Sequence, residues 1–223
     1  MHLPFRATVM KDSSAAARPY RCPDLPSAPV DAVRAELAGA LEHGNAVLSA
    51  PPGAGKSSRV PLWLLEQLLA DDLPKLVSGE GGAAEWEAVS LAATLGGMVI
   101  GAAGVSAAHG MEHPASGLKN IVHGRGLAAL TPPIVERLAT ADPEKFARVS
   151  VLLGGSGAED CADSIRRFLK AIDLSVKLGD LGITAEDVPW MTENCMKISI
   201  GNLKNAPVTF SREEVEQIYR EAL

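Results

Sequence analysis

Apolar residues in the first part of the chain recur at helical spacing and then give way to a short continuous run. Four of them predict a helix over residues 30–43, which Gly44 ends: Val33, Leu37, Ala40 and Leu41. The run NAVLSA at residues 45–50 has the length and composition of a buried strand. A Gly/Pro loop follows it, and a second helix is predicted near residues 56–69. The predicted order is therefore helix, strand, loop, helix.

Helical periodicity dominates the second part of the chain. The expected helices lie near residues 84–104, 105–117, 124–139, 143–153, 159–172, 185–196 and 212–222. Three of them have start signals, namely Asp142 before a proline, Thr184 before two acids, and Ser211 before Glu213 and Glu214. We therefore predict a mainly α protein, with a carboxy-terminal all-helical bundle that follows a short helix, strand, loop, helix segment.

Two stretches without sustained periodicity divide the chain. Residues 1–29 hold five prolines and read as an extended or disordered leader. Residues 71–83 mix paired acids, a proline and a glycine cluster, and composition changes across them. We place a junction there, between a phosphate-loop-like α/β fragment at residues 30–70 and a helical domain at residues 84–223.

Residues 88–108 carry no charge over 21 positions, which is long enough to cross a bilayer. Most of these residues are Ala, Gly, Ser and Thr, and no Lys or Arg flanks them. We expect a buried helix rather than a membrane span.

Composition narrows the functional classes. A formal net charge of -6 disfavours nucleic acid as a partner, and aromatic residues make up only 4% of the chain, which favours helices with small side chains over a strand-rich sandwich. Cys22, Cys161 and Cys195 are odd in number and have no metal-ligand spacing. Together with an amino terminus that lacks a signal-peptide pattern, they predict a cytoplasmic protein without a disulfide framework.

The run APPGAGKS at residues 50–57 lies between a predicted strand and a predicted helix, the usual setting of a phosphate-binding loop. Gly53 and Gly55 would let the backbone approach a phosphate, Lys56 would reach the terminal phosphates, and Ser57 would ligate Mg²⁺ of bound ATP. Residues 28–70 resemble the first motif of DEAH-type ATP-dependent helicases. Since no Asp-Glu motif follows to support hydrolysis, we interpret the loop as a fragment without turnover.

Three histidines fall within fifteen residues: His109, His113 and His123. The first two are four residues apart and share one face of a helix, which we expect Pro114 to end, and the third starts the next helix after a loop. Imidazoles placed in this way can converge on one divalent ion. The alternative is that they are ordinary polar residues at a helix turn.

The string His-Gly-Met-Glu-His-Pro, followed by His123 and a glycine, resembles the signature of iron-containing alcohol dehydrogenases, and the resemblance extends over residues 83–223. It implies a helical domain of the dehydroquinate-synthase-like type. It also implies that His109 and His123 ligate Fe²⁺ or Zn²⁺, and that His113 lies near the nicotinamide of NAD(P). The implied substrate is a small alcohol or aldehyde, and no catalytic residue is assigned.

The chain departs from that family in two ways. It lacks the Asp-x-x-x-His pair that completes the metal site, and no cofactor domain with a Gly-Gly-Gly-Ser turn precedes the histidines. The Gly-rich residues 154–157 lie downstream and read as the end of a helix with its loop. We therefore expect a truncated or chimeric chain, inactive alone, that forms a homodimer or joins a separate cofactor-domain chain. The alternatives are an ATP-binding module and a helical interaction domain.

Overall fold

The computed structural model describes the backbone of residues 6–10, 19–21 and 45–49 and all of residues 69–223. The predicted phosphate loop, with Gly53, Gly55, Lys56 and Ser57, lies outside the described residues. So do the helix predicted at residues 30–43 and nearly all of that predicted at residues 56–69. The chain forms two compact units, Met1–Trp63 and Leu64–Leu223, and each is described by itself.

The first unit contains a three-stranded antiparallel sheet in the order β2-β1-β3. Strand β3 (Asn45–Ser49) confirms the strand predicted at residues 45–50. Strands β1 (Arg6–Met10) and β2 (Pro19–Arg21) fall inside the leader that we expected to be extended or disordered, and neither was predicted. Their pairing places Arg6 opposite Arg21 and Thr8 opposite Pro19.

The second unit is a helical bundle, and all seven predicted helices are present within four residues of their expected ends. The helices are α1 (Asp72–Ser78), α2 (Ala83–Ala103), α3 (Ala107–Lys119), α4 (His123–Leu138), α5 (Pro143–Leu152), α6 (Cys161–Ala171), α7 (Val188–Ile198), α8 (Ile200–Leu203) and α9 (Arg212–Glu221). We did not predict α1 or the short α8. Helix α1 occupies the segment expected to be a junction, and the division between the two units lies nearer the amino terminus, after Trp63.

Side-chain caps explain two of the helix starts. The Asp142 carboxylate accepts a hydrogen bond from the Lys145 amide at 3.2 Å, and Ser211 forms a capping box with Glu214. The third predicted signal is wrong in position. Thr184 donates its amide and hydroxyl to the Asp187 carboxylate, and α7 starts after Asp187, so that these two residues form a turn ahead of the helix.

The core of the bundle lies where α3 packs against α4, α7 and α8, with α9 closing it against α4 and α7. Most of its largest fully buried side chains come from α3, α4, α7 and α9, and one, Leu178, comes from the segment between α6 and α7. The residues on the helices are Met111, Leu130, Ile134, Met191, Ile218 and Tyr219. The Tyr219 hydroxyl donates a buried hydrogen bond of 2.6 Å to the Met111 carbonyl. Burial raises the pKa of this hydroxyl, which keeps it protonated as a donor. Helix α3 is thereby fixed in the centre of the bundle.

The prediction that residues 88–108 form a buried helix is wrong in one respect, because α2 is mostly exposed. It is helical, but Ala92 is the one buried residue within it, and Trp86, Met98 and Ile100 are 62%, 45% and 47% exposed. A helix without charged residues can be buried, but only where another surface packs against it. Among the described residues, the main contact of α2 is with α1. By length and a mean hydropathy of 1.4, α2 could cross a membrane, although one such helix is weak evidence for a span.

The glycine-rich residues 154–157 confirm a helix end. The amides of Gly154 and Gly155 donate to carbonyls in the last turn of α5, and Gly154 has a φ of +78°, in the left-handed region that favours glycine. A Cβ at Gly155 would lie 2.0 Å from the Ser164 hydroxyl and 2.3 Å from that of Ser150. The close approach of α5 and α6 therefore requires glycine at this loop.

Candidate metal centre

The three predicted histidines come together on the helix pair α3 and α4, which we call the α3–α4 hairpin. Helix α3 ends at Lys119 and is followed by Asn120, whose φ of +51° is left-handed; His123 begins α4. The imidazole centroids of His109 and His123 are 5.1 Å apart, those of His113 and His123 are 5.9 Å apart, and those of His109 and His113 are 6.2 Å apart. The shortest of the three separations joins the two histidines predicted to be metal ligands.

Pro114 does not end α3, contrary to our prediction. The helix continues to Lys119 with this proline fully buried in its interior. A proline removes one backbone donor, here the bond to the carbonyl of Gly110, and its ring fills part of the core. His113 is therefore a mid-helix residue, one turn beyond His109 on the same face.

A buried carboxylate lies beneath this cluster, and we did not predict it. Glu112 is fully buried. One of its oxygens, Oε1, accepts a hydrogen bond from the Ser116 hydroxyl, and the other, Oε2, is hydrogen-bonded to Nδ1 of His123. No local signal in the sequence identified it, because its burial depends on contacts with α4, a different helix.

The histidines differ in burial. His109 is half-buried, His113 is exposed, and the His123 side chain is 48% exposed. Burial lowers the pKa of His109, and the neighbouring His123 and His113 lower it further, while Glu112 opposes the shift. The neutral form of His109 is therefore favoured, which is the form that binds metal ions.

The two predicted ligands form a partial donor set. Imidazole nitrogen suits Fe²⁺ and Zn²⁺, and the exposed side of the cluster leaves room for further ligands. In residues 69–223 no three His, Cys, Asp or Glu side chains are arranged to hold one metal ion. Since catalytic sites generally use three protein ligands, His109 and His123 would need further ligands from outside the described residues to hold a divalent ion.

Other candidate groups lie away from the histidines. Cys161 and Cys195 are free and buried, and burial raises the pKa of each thiol to about 11. A surface cavity of about 300 Å³ opens between α4 and α6, lined in part by Glu136, Arg166 and Lys177, and it contains none of the three histidines. Neither the two thiols nor this cavity completes a metal site with the histidines.

Comparison with known proteins identifies the helical unit. The sequence model described as "Fe-containing alcohol dehydrogenase family, C-terminal" matches residues 65–223. This range coincides with the second compact unit, Leu64–Leu223, and includes the histidine hairpin.

Individual relatives agree with that match. The chain is 30% identical over 164 residues to 1,3-propanediol dehydrogenase of Klebsiella pneumoniae, which covers 70% of the chain and 42% of the relative. It is 32% identical over 123 residues to a long-chain primary alcohol dehydrogenase of Thermoanaerobacter ethanolicus, covering 51% of the chain and 31% of the relative.

Solved structures extend the likeness to the fold. The crystal structure of a 1,3-propanediol oxidoreductase is similar with a TM-score of 0.67 and 28% sequence identity. The match covers 78% of this chain and 46% of the oxidoreductase chain. The structure of an iron-containing alcohol dehydrogenase of Thermotoga maritima is similar with a TM-score of 0.62 and 30% identity. The match covers 78% of this chain and 43% of the Thermotoga chain. The chain thus spans less than half the length of these relatives.

Proposed function

Because the chain belongs to the iron-containing alcohol dehydrogenase family, we propose that it supplies the metal-binding helical part of an NAD(P)-linked alcohol or aldehyde oxidoreductase. The observation that carries the proposal is the hairpin on which three imidazoles lie within 6.2 Å of one another. The match to the carboxy-terminal family model over residues 65–223 supports it.

His109 and His123 are the proposed metal ligands, with Fe²⁺ or Zn²⁺ as the ion. When bound, a divalent ion supplies Lewis-acid polarisation of the alcohol oxygen, which favours loss of the hydroxyl proton and hydride transfer to NAD(P). The half-buried His109 is held in its neutral, metal-binding form by burial and by its histidine neighbours. The exposed His113 is the proposed contact to the nicotinamide end of the cofactor.

The proposed enzyme needs more than the described residues provide. Two imidazoles leave at least one protein ligand missing, and the chain spans 42% of the length of 1,3-propanediol dehydrogenase. We place the missing ligands and the NAD(P) site on a separate cofactor-domain chain. A homodimer of this chain is the alternative assembly, but it would not supply the cofactor domain that both copies lack. We also place the protein in the cytoplasm, since its cysteines at positions 161 and 195 are free.

Metal titration tests this proposal directly. Chelator-stripped protein is titrated calorimetrically with Zn²⁺ and, without oxygen, with Fe²⁺, in parallel with His109→Ala and His123→Ala. We expect the wild type to bind about one equivalent, and each variant to lose at least tenfold in affinity because it removes one of few ligands. Weak binding that is indifferent to both substitutions would refute the metal site.

His113→Ala separates the two assigned roles. If His113 contacts the cofactor rather than the metal, this variant keeps its Zn²⁺ affinity within about threefold, well below the tenfold loss that a ligand gives. A loss as large as that of His109→Ala would instead make His113 a ligand. The comparison is well matched, because the two histidines lie one turn apart on the same helix.

ATP binding at the phosphate loop is a second candidate function. It is favoured by strand β3, which ends at Ser49, directly before the APPGAGKS run at residues 50–57. Lys56→Ala would abolish ATP binding, since this side chain would reach the terminal phosphates. ATP binding by the variant equal to that of the wild type would reject the candidate, and equilibrium dialysis with labelled ATP measures it.

A further inference from the structure

We infer that Glu112 is a positioning residue, whose buried carboxylate holds His123 with the proton on Nδ1 and leaves Nε2 free to bind a metal ion. The inference deepens the proposed metal site and rests on it. Three contacts of Glu112 within the hairpin support the inference. Glu112 is hydrogen-bonded to His123 and to Ser116, and Gly126 lies close to its side chain.

The hydrogen bonds that a buried carboxylate can form determine which nitrogen of His123 carries the proton. An ionised carboxylate only accepts, and a carboxylate with no exposure needs a donor for each oxygen. The Ser116 hydroxyl donates to Oε1, and this serine also lies 3.3 Å from the Ile121 carbonyl. The hydrogen-bond partner of Oε2 is Nδ1 of His123, and an ionised Oε2 requires this nitrogen to carry the proton. A neutral imidazole that carries its proton on Nδ1 has an unshared electron pair on Nε2.

The backbone of α4 leaves space for the carboxylate. Gly126 faces Glu112 so closely that a Cβ there would lie 2.8 Å from both Cγ and Oε1 of the acid. Real Cβ atoms do not approach other atoms to that distance, so glycine at 126 is what lets the acid lie against α4. Gly124, two residues earlier in the same helix, has no atom within 4 Å of the corresponding position.

This contact matters for metal binding because the second nitrogen of a ligating histidine is usually tied to a carboxylate or a carbonyl. Such a partner fixes the tautomer and the orientation of the ring and makes the ligating nitrogen more basic. His123 needs that support more than His109 does, since its side chain is 48% exposed. Glu112 supplies it from the buried side of the hairpin and leaves the exposed side open.

Nitrogen-15 NMR of the metal-free protein tests the inference without any metal. Spectra are recorded at pH 8.5, well above the ordinary imidazole pKa of about 6.5, and His123→Ala assigns the signals of this ring. We expect the proton of His123 on Nδ1 in the wild type. In Glu112→Gln the amide can donate as well as accept, so we expect a mixture of the two tautomers. A wild-type His123 with its proton on Nε2 would overturn the inference.

Zn²⁺ affinity is the second measurement. We expect Glu112→Gln to bind about 10–100-fold more weakly than the wild type, the usual effect of losing a carboxylate behind a metal-ligating histidine. Ser150→Ala is the control, because it also removes a buried hydrogen-bond contact, at 3.2 Å from Ser164, and lies in α5, a helix that contains no histidine. Equal affinity of Glu112→Gln and the control would overturn the positioning role.

A double variant shows whether Glu112 acts through His123. In the His123→Ala background, Glu112→Gln should cause no further loss of Zn²⁺ affinity, whereas a general structural effect would add to it. A wild type that binds no Zn²⁺ would refute the proposed metal site, but the position of the proton on His123 would still be read in the metal-free protein. The two failures are therefore distinguishable.

Discussion

The close approach of Gly126 to Glu112 predicts a stability difference between two neighbouring glycines of α4. A Cβ at position 126 would lie 2.8 Å from Cγ and Oε1 of Glu112, and 3.0 Å from Cδ1 of Ile121. The flexible end of a surface side chain could move away, but this carboxylate is fully buried and both of its oxygens are hydrogen-bonded. Gly126→Ala must therefore displace the acid or the helix.

The magnitude follows from two opposing effects. Overpacking a buried site costs about 1–3 kcal/mol, and replacing glycine by alanine within a helix returns up to about 1 kcal/mol. Gly124→Ala gains the helix stabilisation without the cost of overpacking, since no atom lies within 4 Å of the position of the added Cβ. The difference between the two variants therefore isolates the cost of overpacking, and we expect Gly126→Ala to be less stable by about 1–3 kcal/mol.

Thermal and urea unfolding measure that difference. For a chain of this size, 1 kcal/mol shifts the melting temperature by about 2–4 °C, so the two variants should melt several degrees apart. Adding Glu112→Ala to Gly126→Ala should recover part of the loss, because the added methyl group then has space. Equal melting temperatures for the two glycine variants, or a double variant with strictly additive losses, would refute the reasoning.

Two further predictions concern the core. Tyr219→Phe removes the buried hydrogen bond to the Met111 carbonyl and should destabilise the fold by about 1 kcal/mol, measured by urea unfolding; no change would contradict the role given to this hydroxyl. Cys161 and Cys195, with thiol pKa values of about 11, should carry roughly 200-fold less thiolate at pH 8 than an ordinary thiol, and should be alkylated by iodoacetamide only after denaturation. Peptide mass spectrometry measures this, and labelling of the native protein at the rate of free cysteine would contradict it.

Local signals in the sequence predicted the helices of the bundle well. The apolar spacing gave all seven longer helices of the second unit, and the caps at Asp142 and Ser211 marked two starts correctly. These features depend on residues within one or two turns of each other, so a single sequence contains them. Thr184 failed as a start signal because its hydroxyl binds Asp187, a neighbour that can itself precede a helix.

Features that depend on distant parts of the chain were not predictable in this way. The lack of charge in α2 suggested burial, but burial depends on a partner surface that its own sequence does not specify. The histidines of the hairpin were identified from their spacing and their resemblance to a family motif. Glu112 was missed because its inward position depends on the space at Gly126, in a different helix.

The hydrogen bond from Tyr219 to Met111 has a consequence for the order in which the protein can fold during synthesis. Its two ends are 108 residues apart in sequence, and Met111 directly precedes Glu112 in α3. At about 5–20 residues per second, a ribosome needs roughly 5–20 s to add the intervening chain. During that interval the inner face of α3, with Met111, has no α9 to cover it. The α3–α4 hairpin, which carries the histidines, can therefore complete its packing only after α9 has been synthesised.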